Sequence, residues 1–393
     1  MKALVAGVGM IPFVKPSASG TYIEMGAQAT RLALADAGLS YDQVQQAYVG
    51  YVYGDSTCGQ SALYEVGMTG IPIINLNNNC STGATALYMA RMLVENGAAD
   101  CVLALGFEQM KPGALGTNWD DRPPILGKHF AVMDEVAGDV KQLPMALRQF
   151  GGAGREHMQR YGTKMETFAA IRAKASRHAV NNPLAMFRKE VTVDDVMNDV
   201  QVWPGVMTRL MACPPTCGAA AALIVSESFA RKHGLRSDVA ILAQSLTTDP
   251  ASSFEPASMI QAVGGDMARA AARQVYEKAG IGPEDIGVAE LHDCFAHNEL
   301  LSYEALGFCP TGGGEKFVLD GDNTYGGKIV TNPSGGLLSK GHPLGATGLA
   351  QCYELTHQLR GMAEKRQVEG VKLALQHNLG LGGACVVTLF GKN

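Results

Sequence analysis

The chain has 393 residues, of which 47% are hydrophobic and only 18% are charged, and its formal net charge is −5 at pH 7. A chain of this length can fill the cores of two or three domains. Its negative charge argues against nucleic acid and anionic membrane surfaces as main partners. Because no segment reaches the roughly 18 apolar residues of a transmembrane helix, we expect a globular protein without a membrane span.

The cysteines indicate a reducing compartment. There are nine, an odd number, and the sequence contains no CxxC pair and no Cys/His cluster at zinc-ligand spacing. The N-terminal MKALVAGVGMIPF enters a strand-like run without a signal-peptide cleavage pattern, and the C-terminal GKN is not a peroxisomal SKL-type signal. We therefore expect a cytoplasmic protein with reduced thiols and no bound metal.

Strand-like and helical segments alternate along the first part of the chain. LVAGVG precedes a predicted helix over residues 23–37, and the strand-like AYVGYVYG, a helix near residue 80 and the strand-like CVLALGFE follow. Buried-type strands that alternate with helices predict an α/β fold with a mostly parallel sheet.

The segment around Cys80 is the first candidate for chemistry. Residues 71–76 are typical of an apolar strand, and NNNCSTGATALYMARML (77–93) is typical of a polar turn and a helix that begins at or beside Cys80. Unpaired backbone N–H groups and the positive end of the helix dipole would favour a thiolate there. Cys80 is therefore a candidate nucleophile, and the alternative is a small buried core residue.

Two parts of the chain repeat one another. Residues 29–50 resemble residues 270–292, CSTGATAL (80–87) aligns with HPLGATGL (342–349), and LAL at 103–105 has a counterpart at 373–375. The common order predicts two similar α/β units. The alignment places Cys80 and His342 at equivalent positions, so pseudo-twofold packing would bring a nucleophile and a base into one cleft.

The repeat suggests three structural parts. We predict an N-terminal unit of residues 1–118 plus 215–237, an inserted loop domain of residues 119–214, and a C-terminal unit of residues 238–393. From Arg148 to Lys189 the insert carries nine Lys/Arg and two acidic residues. This excess suits a phosphate-bearing ligand, and the alternative is a solvated helical face.

Four motifs concentrate the reactive side chains: NNNCSTG at Cys80, HDCFAHNE (292–299), NPSGGLLSKGHPLGATG (332–348) and QHNLGLGGACVV (376–387). In an extended segment His292 and Cys294 would point to the same side. Together the motifs resemble the thiolase family, and the forms HDCF, SKGHPLGATGLAQC and QHNLGLGGA are similar to its sterol carrier protein 2/X-type branch. The resemblance runs from the first strand to Asn393.

The resemblance implies a fold and partners. The expected fold class is α/β, the thiolase fold, with two duplicated halves in a layered αβαβα core and an inserted loop domain that covers coenzyme A. It implies CoA and 3-oxoacyl-CoA as ligands, no metal, no redox or permanently bound cofactor, and a homodimer or homotetramer.

The resemblance also implies residue roles. Cys80 matches the acyl-accepting nucleophile, and His342 matches the histidine that takes its proton and helps hold the thioester oxygen. His292 falls where many thiolases have the asparagine that anchors a water in one oxyanion hole. The backbone N–H groups of Cys80 and Gly380 match the second oxyanion hole.

One departure concerns the second thiol. Ordinary thiolases carry a cysteine in a C-terminal CxG motif, where this chain has Asn378. In the branch that the chain resembles, the cysteine of HDCF supplies that acid/base function, so Cys294 is the predicted second thiol. Cys385 lies in a strand-like run and is predicted to be core. His377 either lines the pocket or caps the glycine loop.

The implied reaction is thiolytic cleavage of a 3-oxoacyl-CoA by CoA, or the reverse Claisen condensation, through an acyl-Cys80 intermediate. The first alternative is a ketoacyl synthase-like condensing enzyme, which needs no second thiol. The second is a non-catalytic CoA-ester or lipid-binding protein on the same fold. The resemblance suggests medium to long, 2-methyl-branched or sterol side-chain acyl groups. Lipid transfer is not expected, because the sequence lacks an appended sterol-carrier domain.

Overall fold

The structure is a computed structural model that describes residues 1–111, 119–136, 140 and 142–393. Residues 112–118 of the predicted N-terminal unit therefore lie outside the described residues. None of the helices in the described ranges combines the length and the apolar character that crossing a membrane requires.

Within those ranges the strands are β1 (Ala3–Met10), β2 (Gln46–Gly50), β3 (Ile73–Leu76), β4 (Cys101–Glu108), β5 (Gln201–Trp203), β6 (Met207–Thr208), β7 (Gly218–Ser226), β8 (Val239–Thr247), β9 (Val288–Glu290), β10 (Val330–Thr331), β11 (Leu373–Gly380) and β12 (Ala384–Lys392). The helices are α1 (Tyr22–Ala37), α2 (Cys58–Tyr64), α3 (Thr82–Glu95), α4 (Gly127–Val136), α5 (Met145–Tyr161), α6 (Met165–Ala179), α7 (Val193–Met197), α8 (Glu227–His233), α9 (Met259–Ala262), α10 (Gly265–Ala279), α11 (Ala296–Ala305), α12 (Gly314–Leu319), α13 (Gly336–Ser339) and α14 (Thr347–Arg360).

The strand order confirms the repeat. The hydrogen-bonded order is β10-β9-β11-β12-β8-β1-β7-β4-β2-β3, which divides into two halves of the same pattern. β3-β2-β4-β7-β1 in the N-terminal half corresponds to β10-β9-β11-β12-β8 in the C-terminal half, and the paired directions also match. Within the sheet, the strands of the two halves pair at one position, Leu4 of β1 with Ala240 of β8.

The expectation of a mostly parallel sheet is wrong. β2 is parallel to β3 and β4, and β9 is parallel to β10 and β11, but β7 and β12 run antiparallel to both of their neighbours. In the C-terminal half the cause is local: only three residues join β11 to β12, and a parallel connection needs a long crossover. Gly382 and Gly383 in this turn both have φ of 92°, a left-handed conformation that favours glycine.

The elements stack in five layers. α1 packs on β1 and β7, α10 packs on β8 and β12, and α3 and α14 pack against one another between the two half-sheets. Alternate residues of β1 serve different layers: Leu4 belongs to the core under α1, whereas Val5 belongs to the core around α3 and α14. This arrangement is the expected αβαβα order.

The two GAT segments of the repeat meet at the centre of the molecule. A Cβ on Gly83 would lie 2.7 Å from the carbonyl oxygen of Gly345, and one on Gly348 would lie 2.1 Å from the backbone nitrogen of Ala84. Side chains at these positions would separate the starts of α3 and α14. Glycine is therefore required by the close approach of two backbones.

The insert is fastened to the C-terminal half. It follows β4 and precedes β7, and its helices α5 and α6 pack on α9, α11, α12 and α13. Lys174 of α6 pairs with Glu299 of α11 in the interior, and its ammonium also contacts the Thr331 hydroxyl at 2.6 Å. The insert shares one hydrophobic core with the C-terminal half, and the predicted domain boundaries stay a prediction.

We expect Gly348→Ala to lower the free energy of unfolding by roughly 3 kcal/mol, because an added methyl overpacks the contact between α3 and α14. Urea unfolding measures this change. Gly127→Ala is the matched control, since within the described ranges no residue outside its own helix turn comes within 4 Å of the added carbon, and Gly127 is at the start of α4. Equal stability of the two variants would contradict the expectation.

Candidate active site

Cys80 lies in a tight turn between β3 and α3. The residue before it, Asn79, has φ of 51°, an uncommon conformation outside glycine. The backbone N–H of Asn78 donates to the hydroxyl of Thr82 at 2.8 Å, and that hydroxyl donates to the Asn79 carbonyl at 2.6 Å. Since α3 begins at Thr82, the turn presents the thiol just before the first helical residue.

Burial decides the protonation state of Cys80. The side chain is 6% exposed, and burial raises the pKa of the thiol to about 12, with a further increase from the carboxyl group of Glu108. Hydrogen bonds from the backbone N–H groups of Cys80 and Leu381 lower this pKa only in part. The expectation of a resting thiolate is therefore wrong, because desolvation outweighs the helix start. Cys80 rests as a thiol and needs a base.

His342 is oriented to be that base. Its Nδ1 lies 2.7 Å from the hydroxyl of Thr347, which donates its own proton to the Pro343 carbonyl at 2.9 Å. The hydroxyl must therefore accept from Nδ1–H, and Nε2 carries the lone pair. Burial lowers the pKa of His342 to about 3, with a further decrease from Lys340, so the ring rests neutral. Among the described residues Nε2 has no hydrogen-bond partner.

His292 has the opposite tautomer. The amide of Asn378 donates to the carbonyl of Cys80 at 3.1 Å and to Nδ1 of His292 at 3.1 Å. A carbonyl can only accept, so the Asn378 nitrogen is fixed as a donor, and Nδ1 of His292 must accept. Burial, then the neighbouring His342 and His377, hold the pKa of His292 well below its usual range. The neutral ring therefore carries its proton on Nε2.

The sequence-predicted nucleophile and both histidines meet at one point. A ring nitrogen of His292, one of His342 and Sγ of Cys80 all lie within 4.8 Å of one another. The two rings are 5.0 Å apart and nearly perpendicular. A cysteine and two histidines could also ligate a soft metal ion. A metal ion would need a lone pair on Nε2 of His292, but the hydrogen bond from Asn378 to Nδ1 leaves the proton on Nε2. The geometry suits proton transfer and oxyanion binding better.

The glycine loop closes over the nucleophile turn. A Cβ on Gly380 would lie 2.2 Å from the carbonyl oxygen of Asn78, so only glycine permits this approach. The N–H group that is directed at the sulfur of Cys80 belongs to Leu381, the next residue. The oxyanion role of the Gly380 N–H stays a prediction.

The two candidates for the second thiol have different surroundings. Cys294 is 4% exposed, and burial, followed by Cys213, Cys80 and Asp293, holds its pKa well above its usual range. Cys385 is fully buried inside β12, and burial alone raises its pKa. Of these two cysteines, Cys294 is therefore the one whose pKa is affected by the nucleophile Cys80.

Glu108 is a residue of the site that the sequence analysis missed. Its buried carboxyl group at the end of β4 accepts N–H groups of Tyr53 at 2.9 Å, Val52 at 3.1 Å and Gly345 at 3.0 Å. It thereby ties the loop that carries His342 to the N-terminal half. Burial raises its pKa to about 7. The only signal in the sequence was one acid at the end of an apolar strand.

Two other sequence-predicted features are altered. His377 is 1% exposed and neither ring nitrogen has a partner in the described ranges, so it lines the interior and is not an exposed cap. Of the nine cations in the stretch from Arg148 to Lys189, Arg172 and Lys174 do not suit a phosphate ligand. Both are buried, and they donate hydrogen bonds to the Ser339 hydroxyl and to Glu299, respectively.

Alkylation of Cys80 by iodoacetamide should accelerate about tenfold per pH unit between about pH 6 and pH 9, because the reactive thiolate forms only near the raised pKa. Peptide mass spectrometry measures the rate at this site, and Cys80→Ser gives the background from other thiols. A rate that levels off near neutral pH would show a resting thiolate and contradict the neutral pair.

Comparisons with known proteins agree with this geometry. Residues 3–228 match the family model "Thiolase, N-terminal domain", and residues 253–391 match "Thiolase C-terminal domain-like". Sterol carrier protein 2 of Oryctolagus cuniculus is 57% identical, with 99% of this chain and 72% of the relative covered. Benzoylsuccinyl-CoA thiolase subunit BbsB of Thauera aromatica is 35% identical, with 98% and 95% covered.

Among solved structures, an Ltp2-ChsH2(DUF35) aldolase superposes with a TM-score of 0.83 over 100% of this chain and 98% of the other, at 22% identity, a likeness of fold alone. The family models cover nearly the whole chain, and the two relatives match 99% and 98% of it. The chain therefore belongs to the thiolase family, in the branch that resembles sterol carrier protein 2, and it has the thiolase fold.

Proposed function

We propose that this acyl-CoA acyltransferase cleaves 3-oxoacyl-CoA with CoA, or runs the reverse Claisen condensation, through an acyl group on Cys80. One observation carries the proposal: a ring nitrogen of His342, a ring nitrogen of His292 and the buried sulfur of Cys80 lie within 4.8 Å of one another, and the partners of the two rings leave a lone pair on Nε2 of His342 and a proton on Nε2 of His292. These are the nucleophile, the base and the oxyanion donor that carbon–carbon cleavage at a ketone requires.

In the first step Cys80 attacks the 3-oxo carbon while Nε2 of His342 takes the thiol proton. The alkoxide that forms is held by the backbone N–H groups of Cys80 and Gly380. When it collapses, the bond between the α and β carbons breaks, and its electron pair moves to the thioester enolate. The Nε2–H of His292 and the protonated His342 stabilise the enolate oxygen.

In the second step the thiol of Cys294 protonates the α-carbon of the enolate, and the thioester that contains this carbon leaves, while the shortened acyl group stays on Cys80. As that product leaves, the thiolate of Cys294 takes a proton back from the protonated His342. The neutral His342 then accepts the proton of an incoming CoA, whose sulfur attacks the acyl group on Cys80, and returns that proton to the Cys80 sulfur as it departs. The free enzyme is restored, and the same steps in reverse give the condensation.

Two alternatives are weaker on the same geometry. A ketoacyl synthase-like enzyme that condenses with decarboxylation has no need of a second thiol, whereas here Cys80 is among the neighbours that raise the pKa of Cys294. A CoA-ester or lipid-binding protein without turnover would not need the opposite tautomers of His292 and His342. The acyl group is proposed to be medium to long, branched or a sterol side chain, as the resemblance suggests.

CoA is proposed as substrate, with its phosphates near the insert. Five of the basic residues that the sequence analysis singled out are exposed and remain available to them: Arg160, Lys164, Arg177, Arg188 and Lys189. A ligand with several phosphate groups binds better to several neighbouring cations than to one cation. We propose no permanently bound cofactor and no metal.

We also propose a homodimer or homotetramer. β3 is an edge strand of the sheet, and its Ile74 is 43% exposed. Met89 and Met92 of the neighbouring α3 are both 36% exposed. Monomeric proteins avoid an exposed apolar edge strand, so we propose that a second copy of the chain packs against this edge. All nine cysteines are free, which supports a reducing, cytoplasmic compartment.

Loss of the enolate absorbance of 3-oxoacyl-CoA on addition of CoA tests the reaction across a range of chain lengths. We expect Cys80→Ser to lose at least roughly 10³-fold in turnover and Cys294→Ala roughly 10²–10⁴-fold. Cys385→Ala is the control and should stay close to wild type. Full activity in Cys294→Ala with loss in Cys385→Ala would overturn the second-thiol assignment, and an inactive wild type would favour the binding protein.

Replacement of Asn378 tests the tautomer of His292. Asn378→Leu keeps the size of the side chain but removes the N–H donors to His292 and to the Cys80 carbonyl. We expect kcat of thiolysis to fall roughly 10²-fold with little change in KM, since the Nε2–H of His292 would donate to the enolate oxygen only as its charge develops in the transition state. Asn182→Leu, which removes another buried asparagine, should lose stability but keep kcat. Equal kcat values for Asn378→Leu and Asn182→Leu would refute the tautomer assigned to His292.

A further inference from the structure

Cys213 lies directly opposite Cys294. Its backbone N–H donates to the carbonyl of Cys294 at 2.9 Å, and the neighbouring residues Ala212 and Phe295 form an antiparallel bridge. Residues that face one another in such a pair have their side chains on the same side, with Cβ atoms about 4.5–5.5 Å apart. The insert therefore contributes a third thiol beside the one that we assign to the α-carbon.

Cys213 also has the nucleophile among its electrostatic neighbours. It is partly exposed, whereas Cys80 and Cys294 are 6% and 4% exposed. Burial first, and then the nearby Cys80 and Asp293, raise the pKa of the Cys213 thiol. A charge on Cys213 bears in turn on the pKa of Cys294. The three thiols are thus neighbours, and Cys213 has no part in the steps derived above.

The reaction leaves a thiolate at Cys294 for which the steps above name no hydrogen-bond donor. After Cys294 protonates the enolate, it is a thiolate with almost no access to water. Its titratable neighbours Cys213, Cys80 and Asp293 raise its pKa, whereas a hydrogen bond from the backbone N–H of Phe295 lowers it. A buried anion with few donors is costly, and a further donor would make proton transfer easier.

We propose that Cys213 is a positioning residue that donates its S–H to the Cys294 thiolate and so stabilises the form that exists after proton transfer. The inference rests on the proposed function. In cleavage, the S–H bond of Cys294 breaks, a C–H bond forms at the α-carbon and the electron pair stays on the Cys294 sulfur. Cys213 keeps its own proton throughout. In condensation the stabilised thiolate removes the α-proton.

Two half-reactions separate this role from the rest of the site. Exchange of labelled CoA into an acyl-CoA needs only acylation of Cys80, and its probe is the acyl-CoA product of the best 3-oxoacyl-CoA substrate. Exchange of the α-hydrogens of acetyl-CoA in D2O needs the proton transfer at Cys294 and is followed by the mass of the recovered thioester. Both are measured on the full chain, with thermal unfolding as a check on folding.

We expect Cys213→Ala to slow α-hydrogen exchange and thiolysis roughly tenfold while acyl exchange stays at the wild-type rate, since a hydrogen bond to a charged partner is lost. Cys213→Ser, whose hydroxyl also donates, should restore most of the loss. Cys309→Ala is the matched control, because Cys309 is partly exposed too, and its titratable neighbours are Glu304 and Lys328 instead of the reacting thiols.

The other outcomes decide against the proposal. An α-exchange rate in Cys213→Ala within twofold of wild type would show a bystander. An equal loss in both half-reactions, or no rescue by serine, would show a structural effect. If α-exchange survives in Cys294→Ala but not in Cys213→Ala, Cys213 is itself the second thiol. A wild type without acyl exchange would defeat the proposed function, which is a separate result.

Discussion

The contact between the starts of α3 and α14 is the constraint on which the site depends. Two helices that carry the nucleophile turn and the base loop can meet only if glycine replaces any side chain at Gly83 and Gly348. Their approach defines the central layer, and it places Cys80 of one half opposite His342 of the other. Glu108 then ties the loop of His342 to Val52 and Tyr53 of the N-terminal half, because its carboxyl group also accepts the Gly345 N–H. The chemistry is therefore assembled at the interface of the duplicated halves.

The two histidines show how equal side chains receive different tasks. His342 donates from Nδ1 to Thr347, which leaves a lone pair on Nε2, whereas His292 accepts at Nδ1 from Asn378, which leaves the proton on Nε2. Neither ring needs a charge, because burial keeps both neutral. Asn378 stands where ordinary thiolases have a cysteine, and here it serves as the residue that fixes a tautomer.

Much of this could be predicted from the sequence, since the repeat and the four motifs are local patterns. The repeat gave the paired halves, and the alignment of the GAT segments gave the meeting of Cys80 and His342. What could not be predicted depends on neighbours distant in the chain. The antiparallel β7, the buried Glu108 and the loss of Arg172 from the basic stretch all follow from packing that no local pattern records. The resting thiol was missed for the same reason, because burial outweighed the helix start.

The neutral resting state of Cys80 has a consequence for chemical selectivity. A thiol that holds its proton until a base receives it presents little nucleophile to stray electrophiles such as aldehydes or peroxides that diffuse into the cleft. Only a ligand that fills the cleft, excludes water and offers an acceptor for the developing charge makes the proton transfer to His342 favourable. The enzyme thus delays its own reactivity until the substrate has arrived, and the same burial that slows the free thiol protects it.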